Sequence, residues 1–251
     1  MEKYFLDAGT TWSKILTVKD GKKAYSIIRT KDLSNYDVEF EISTGHTLSK
    51  VKTKKTENEV IALSFGAKEI KNGVILDLGS RDAKWVKFEN GKFKDMDWNT
   101  NCASSTGATV EMLLKFYEIN SDDLIPTNEK YNVTCGIFGL EKIMDDISNG
   151  IDSKIAISKF ITGIANNAYN FTKKPDKIYL SGGFCENSRF TDALKFYTKV
   201  ELLGRFVLVD GLYNIYSENL FKGRFDKKIK VTGPDYLHDP SGEELIIEEI
   251  D

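Results

Sequence analysis

The chain repeats itself. FLDAGTTWSKILTVKDGKK, starting at Phe5, and ILDLGSRDAKWVKFENGKF, starting at Ile75, align without a gap at an offset of 70 residues. Asp7 matches Asp77, Gly9 matches Gly79, Thr10 matches Ser80 and Lys14 matches Lys84. Further on, Gly21 and Lys22 match Gly91 and Lys92. An internal repeat sets the architecture, because each copy must fold as the same supersecondary unit.

Each copy reads as a β-meander. An apolar run ends in Asp-x-Gly, a tight turn follows, and a second strand leads to another turn at Asp-Gly or Asn-Gly. A lone D-x-G-[ST] occurs by chance in many proteins, and two unrelated hairpins would share common turn residues. Two copies in register, with the following lysine and Gly-Lys also matched, point instead to paired phosphate loops. Glycine there lets backbone N–H groups approach an anion closely. Thr10, Thr11 and Ser80 add hydroxyl donors, and Lys14 is placed to neutralise phosphate charge. Asp7 and Asp77, at the strand ends, are placed to hold a hydrated Mg²⁺ between them.

The bulk properties narrow the class. With 251 residues, 41% hydrophobic and 29% charged, the chain is an ordinary globular protein of one large domain or two small ones. Its net charge of −3 gives no basic footprint for nucleic acid or an anionic membrane. The lysine run Lys50–Lys55 reads as a solvated loop. MEKYFLDAGTTW lacks the pattern of a signal peptide, and no window approaches the ~20 apolar residues of a membrane span. Cys102, Cys135 and Cys185 form no CxxC pair and are too few for a disulfide framework, so a reducing cytoplasm is the expected location. His46 and His238 show no zinc-ligand spacing, and His46 reads as a loop residue.

The remaining pattern is that of a two-lobed α/β protein. Residues 59–70 read as a short helix. Val110, Leu113, Leu114 and Tyr117 predict an amphipathic helix over 106–119, and Ile137, Leu140, Met144 and Ile147 another over 137–148. Ile157, Phe160, Ile161, Ile164 and Ala168 predict a third over 155–172. KIYLSGGF, 177–184, reads as a strand entering Ser-Gly-Gly, where backbone can again approach a ligand. We place a first lobe at 1–72, completed by about 211–228, a second at 73–210, and a peripheral extension at 229–251. Trp12, Trp85 and Trp98 read as packing residues.

NTNCASSTG, 99–107, is a small polar loop entering a helix, which ordinarily cradles an anion, yet it carries a thiol. Strand–DxGTT–strand, then strand–DxGS, then a late strand–GG resembles the motif order of the actin/Hsp70/hexokinase-like ATPases, whose duplicated RNase H-like domains hold nucleotide in the interlobe cleft. Within that superfamily the chain resembles the ATP-dependent activators of 2-hydroxyacyl-CoA dehydratases and the ATPase subunits of benzoyl-CoA reductases. LDAGTTWSK and ILDLGSRDAK resemble the family's two phosphate loops, and STGHTLSK, 43–50, its ATGYGR-like segment. NTNCASSTG resembles its N-x-x-CAAGTG motif, NVTCGIFGLEKIM its second cysteine segment, and YLSGGFCEN its adenosine-side GG motif.

The resemblance implies an ATPase coupled to electron transfer. Asp7, Asp77 and Arg81 would be its catalytic residues, with Mg²⁺ near Asp7 and Asp77. ATP would be held by Gly9, Thr10, Thr11, Lys14, Gly79, Ser80, Gly182 and Gly183, with Ser105, Thr106 and Gly107 at the helix entrance facing either nucleotide or cluster. Cys102 and Cys135 would ligate one [4Fe–4S] cluster shared across a homodimer. Two thiolates per chain cannot complete a four-cysteine site, whereas a two-fold axis supplies four. The implied partners are an iron–sulfur dehydratase or reductase and a ferredoxin- or flavodoxin-type electron donor.

Three departures stand out. DLGSRD replaces the family's DIGGQD, so Ser80 stands for a glycine and Arg81 for a glutamine. An amide can orient attacking water whereas a guanidinium pairs with phosphate, so slow or differently controlled hydrolysis is expected. CASSTG replaces CAAGTG, and GLYNIYSENLF, 211–221, matches the family's C-terminal helix poorly.

Two other classes compete. A small-molecule kinase on the same fold, acting on an amino sugar or pantothenate, needs a carboxylate base, a role open to Asp77 or Asp82. Alternatively, Asp82 and Arg81 form a surface pair without chemistry. A non-catalytic nucleotide-binding module would bind without turnover. Cys185 reads as a small buried hydrophobe.

Overall fold

The structure, a computed structural model, describes residues 2–99, 107–132 and 136–218. Its first part runs β1 (Glu2–Ala8), β2 (Trp12–Lys19), β3 (Lys22–Arg29), β4 (Glu39–Phe40), β5 (Ile42–Gly45), β6 (Lys52–Thr53) and α1 (Glu59–Gly66). A second series follows with β7 (Gly73–Leu78), β8 (Ala83–Glu89), β9 (Lys92–Asn99), α2 (Gly107–Phe116), α3 (Gly136–Ser148) and α4 (Ser153–Phe171). The chain then forms β10 (Lys177–Ser181), α5 (Ser188–Lys195), β11 (Lys199–Gly204) and α6 (Val207–Glu218).

The repeat appears as two copies of one topology. β4 pairs with β6 in a small sheet of its own; of the two larger sheets, one has the order β3-β2-β1-β5, the other β11-β10-β7-β8-β9. In each, the meander lies third-second-first, and a later strand joins beside the first. The connecting turns match as well. Asp20 and Gly21 have φ of 50° and 75°, and Asn90 and Gly91 have φ of 54° and 78°. Two successive left-handed residues are what a tight two-residue hairpin turn requires, which explains the shared Asp/Asn-Gly.

The described residues divide into two compact units: 2–75, 86–97 and 205–218 form one, and 76–85, 98–99, 107–132 and 136–204 form the other. In the first, β1 is buried on both faces, so its apolar run is continuous rather than alternating. Leu6 and Ala8 pack with Ile15, Leu33 and Phe40, while Phe5 meets Tyr213 and Tyr216 of α6 edge-on. α1 begins at Asn58, whose side chain accepts from the Val60 N–H. It runs close against α6, where a Cβ at Gly211 would strike the Ala62 carbonyl.

In the second unit, α4 buries the expected line Ile157, Phe160, Ile161, Ile164 and Ala168 completely. Asp152 caps this helix by accepting from the Lys154 N–H at 2.7 Å. α3 departs from expectation. Met144 is 62% exposed, and Ile143 is buried instead. The buried line runs through Gly139, where a Cβ would run into the Phe160 ring, and reaches Ile143 one turn later. A glycine that brings two helices together carries no hydropathy, so the apolar pattern does not mark this line, although Leu140 and Ile147 of the expected set are half-buried beside it.

Candidate nucleotide site

The first D-x-G loop joins β1 to β2. Asp7 and Lys14 are directly opposed in that antiparallel pair, and Lys14 Nζ lies 2.9 Å from Asp7 Oδ2. Both are mostly buried, so the lysine is engaged with the carboxylate at the loop's base. Gly9 packs so tightly that a Cβ would stand 2.7 Å from the Trp12 carbonyl oxygen. Thr10 is exposed, Thr11 half-buried, and the Trp12 ring stacks under the Arg29 guanidinium at 3.8 Å.

The second loop, between β7 and β8, repeats the pair with an added carboxylate. Lys84, 2% exposed, has its Nζ 3.6 Å from Asp77 Oδ2 and 3.0 Å from Asp82 Oδ2. Asp77 Oδ1 accepts from the Ser181 hydroxyl at 2.7 Å, which ties β7 to the Ser-Gly-Gly turn after β10. Gly182 sits in that turn at φ 95° and ψ −173°, where a Cβ would meet the Leu78 carbonyl oxygen at 2.5 Å. Gly183 starts the short 3-10 turn Gly183–Glu186. The second loop, Asp77 and the late Gly-Gly turn therefore come together in one unit.

Asp82 is not the surface partner of Arg81. Arg81 is exposed, but Asp82 is buried, because it stands at the threshold of β8 and turns inward to Lys84 and Trp98. The Trp98 indole N–H donates to Asp82 Oδ2 at 2.7 Å, and its ring lies 5.2 Å from Lys84 Nζ. Gly79 N–H donates to the Asp82 carbonyl within the loop.

α2 is docked on the same loop. Ala108 N–H donates to the Ser80 carbonyl at 3.1 Å. A Cβ at Gly107 would stand 2.8 Å from the Gly79 carbonyl oxygen and 3.0 Å from Ser80 Cα. Gly107 is thus required by contact with the loop rather than by its own backbone angle. Cys102, Cys135, Ser105 and Thr106, all expected site residues, lie outside the described residues. Trp98, just before the Cys102 segment, and Gly107, at its end, are nevertheless described, and both rest on the loop 79–82.

Burial pushes the Cys185 thiol up to about 12, and its Sγ lies 3.2 Å from the Leu180 carbonyl oxygen. Cys185 is therefore a neutral thiol, close to the small-hydrophobe expectation though only half-buried. His46 follows β5, with its Nδ1 3.2 Å from Glu59 Oε1. Thr30 was unmarked in the sequence, yet its hydroxyl donates to the Gly9 carbonyl at 2.7 Å.

No family model matches the chain. It is 22% identical to the (R)-2-hydroxyglutaryl-CoA dehydratase activating ATPase of Acidaminococcus fermentans over 229 aligned residues, covering 78% of this chain and 88% of that one. It is 21% identical to the activator of lactoyl-CoA dehydratase of Anaerotignum propionicum, covering 79% of this chain and 89% of that one. Among solved structures, the activator of 2-hydroxyisocaproyl-CoA dehydratase from Clostridium difficile with bound ADPNP matches with a TM-score of 0.72. That match is 21% identical and covers 86% of this chain and 95% of the other. No helix among the described residues is long and apolar enough to cross a membrane.

Proposed function

We propose that this chain, a distant relative of the 2-hydroxyacyl-CoA dehydratase activators with the actin-like ATPase fold, is itself an ATP-hydrolysing iron–sulfur activator. It passes a low-potential electron to a partner dehydratase or reductase. One observation carries the reading. Trp98 and Gly107, which bracket the Cys102 segment, are both fastened to the second D-x-G loop. A change in that loop on nucleotide binding or hydrolysis is transmitted to the cysteine segment from both sides.

In this reading Gly9, Thr10, Thr11, Gly79 and Ser80 present backbone and hydroxyl donors to the phosphates, and Lys14 adds its charge. Gly182 and Gly183 leave room for the nucleoside side, and Ser105, Thr106 and Gly107 complete the entrance of α2. Asp7 and Asp77 are the carboxylates that would hold Mg²⁺. Arg81, exposed beside the buried Asp82, pairs with phosphate rather than orienting water, so turnover is slow. Differential contact with the γ-phosphate in two loop arrangements couples hydrolysis to electron release.

The donor set fits a shared [4Fe–4S] cluster. Cys102 and Cys135 would provide two thiolates and a second copy two more, while Cys185 stands at a position that is not a cysteine site in the resembled family. The cluster supplies a one-electron carrier of low potential, charged by a ferredoxin- or flavodoxin-type donor. Met112 and Phe116 on α2 and Met144 on α3 are large exposed apolar side chains on the two helices that follow the cysteine segments. They suit a face covered by that second copy in a cytoplasmic homodimer.

Iron and acid-labile sulfide are to be measured after anaerobic reconstitution, in the wild type and in Cys102→Ser and Cys135→Ser. About four iron atoms per dimer, lost in either variant, are expected. An iron-free wild type that turns over ATP only with a sugar or pantothenate would make it a kinase instead.

A further inference from the structure

We propose that Thr30 is a positioning residue for the nucleotide, acting through the backbone of the first D-x-G loop. The inference rests on the reading of that loop as a phosphate site. Thr30 directly follows β3 and is only 4% exposed. It touches the loop at three points. Its N–H donates to the Thr11 carbonyl at 3.0 Å, its hydroxyl donates to the Gly9 carbonyl at 2.7 Å, and its Oγ1 lies 2.9 Å from Ser13 Oγ.

The direction of the proton chain follows from stoichiometry. A threonine hydroxyl has one proton, and the Gly9 carbonyl can only accept. The Ser13 hydroxyl, fully buried, is therefore the donor to Thr30. Ser13 to Thr30 to Gly9 is a buried relay, in which each bond strengthens the next.

The consequence for an anion comes from peptide planarity. In a trans peptide the C=O of one residue and the N–H of the next point in opposite directions. Thr30 draws the Gly9 and Thr11 carbonyls toward itself, so the amide protons of Thr10 and Trp12 are turned away from it. The Gly9 carbonyl oxygen, which would repel a phosphate, is sequestered, and the Thr10 N–H faces away from Thr30 to receive it. Gly9 closes the turn, since a Cβ there would collide with the Trp12 carbonyl. The second loop is held by Gly107 and Ala108 of α2, and Thr100, 70 residues on from Thr30, lies outside the described residues.

The test compares the wild type with Thr30→Ser, Thr30→Val and Ser13→Ala by titration with MgATP and with adenosine, alongside thermal melting. Thr30→Val is expected to weaken MgATP roughly tenfold while adenosine binding stays unchanged, because the lost bond orients phosphate donors. Thr30→Ser keeps the hydroxyl and should restore MgATP affinity to within about twofold of the wild type. Ser13→Ala leaves the Thr30–Gly9 bond in place and should cost about two- to threefold, which keeps the idea testable if Thr30→Val does not fold. Leu33→Val, a nearby core change, controls for destabilisation and should leave MgATP affinity unchanged. If Thr30→Val binds MgATP as the wild type does, or loses MgATP and adenosine equally, the positioning role is overturned and the phosphate-loop reading stands. If the wild type binds no MgATP, the loop reading itself is overturned, and the role of Thr30 with it.

Discussion

The indole N–H of Trp98 donates to the carboxylate of Asp82 at 2.7 Å, joining the end of β9 to the second D-x-G loop. A hydrogen bond to a charged acceptor contributes about 1.5–3 kcal/mol. Trp98→Phe should lower unfolding free energy by about that amount in a urea titration. In the proposed activator, the same variant should uncouple hydrolysis from electron delivery. Steady-state ATP turnover would persist while reduction of the partner enzyme falls, and an equal fall in both would count against the link.

Lys84 stands between two buried carboxylates, at 3.6 Å from Asp77 and 3.0 Å from Asp82. Removing the cation strands both negative charges, and breaking a buried pair from one side costs about 3–5 kcal/mol. Lys84→Met should therefore be destabilised on that scale by chemical denaturation. Adding Asp82→Asn should return part of the loss, because the second change removes a charge the first left uncompensated.

Gly182 occupies backbone space almost reserved for glycine, at φ 95° and ψ −173°. Gly182→Ala incurs roughly 1–3 kcal/mol of strain. Its Cβ would also stand 2.5 Å from the Leu78 carbonyl oxygen and 3.1 Å from Asp77 Oδ1. Calorimetry should show a lower Tm and loss of MgATP binding. Gly91→Ala, with open space around its Cβ, should lose stability but keep the nucleotide.

The segment before Cys135 is clamped by a charged group of contacts. Tyr131 and Lys159 both donate to Asp146 Oδ2, at 2.7 Å and 3.0 Å. The Tyr131 hydroxyl first, and Lys159 second, hold the Asp146 carboxyl below its ordinary value. A depressed carboxylate stabilises the fold above its unfolded pKa near 4, and that contribution is lost as pH falls through the lower folded value. Asp146→Asn should thus lower the unfolding free energy at pH 7, by no more than about 1 kcal/mol given its exposure. The difference should shrink toward pH 3, and a gap that widens in acid would contradict the assignment.

Cys185 should be inert in the folded protein. With its thiol pushed up to about 12, almost no thiolate exists at pH 8. Iodoacetamide labelling followed by peptide mass spectrometry should leave Cys185 unmodified in buffer and modify it in urea.

Much of this was legible because it is local. The gapless offset announced the shared meander, and the Asp-Gly and Asn-Gly turns needed only their own backbone angles. The pairing of Lys14 with Asp7 was within reach too, because strand register places the two opposite each other. Residues joined by tertiary approach were not. Thr30 reaches Gly9 only because β3 ends beside the loop, and nothing in IIRTKDL marks that. Asp82 resembled a surface acid next to Arg81 until β8 turned it inward. The exposure of Met144 on α3 was not legible, because close approach at Gly139, rather than apolar spacing, draws Ile143 inward in its place.

The burial of Lys84 has a consequence for ionic strength. Dissolved ions screen charges that they can surround, over a Debye length of about 8 Å at physiological salt. Lys52 with Asp37, 73% and 89% exposed, is open to that screening and will fade as salt is added. Lys84, 2% exposed between Asp77 and Asp82, is shielded from it. Salt will therefore loosen the outer ion pairs while the field at the second D-x-G loop stays nearly constant, keeping its grip independent of the medium.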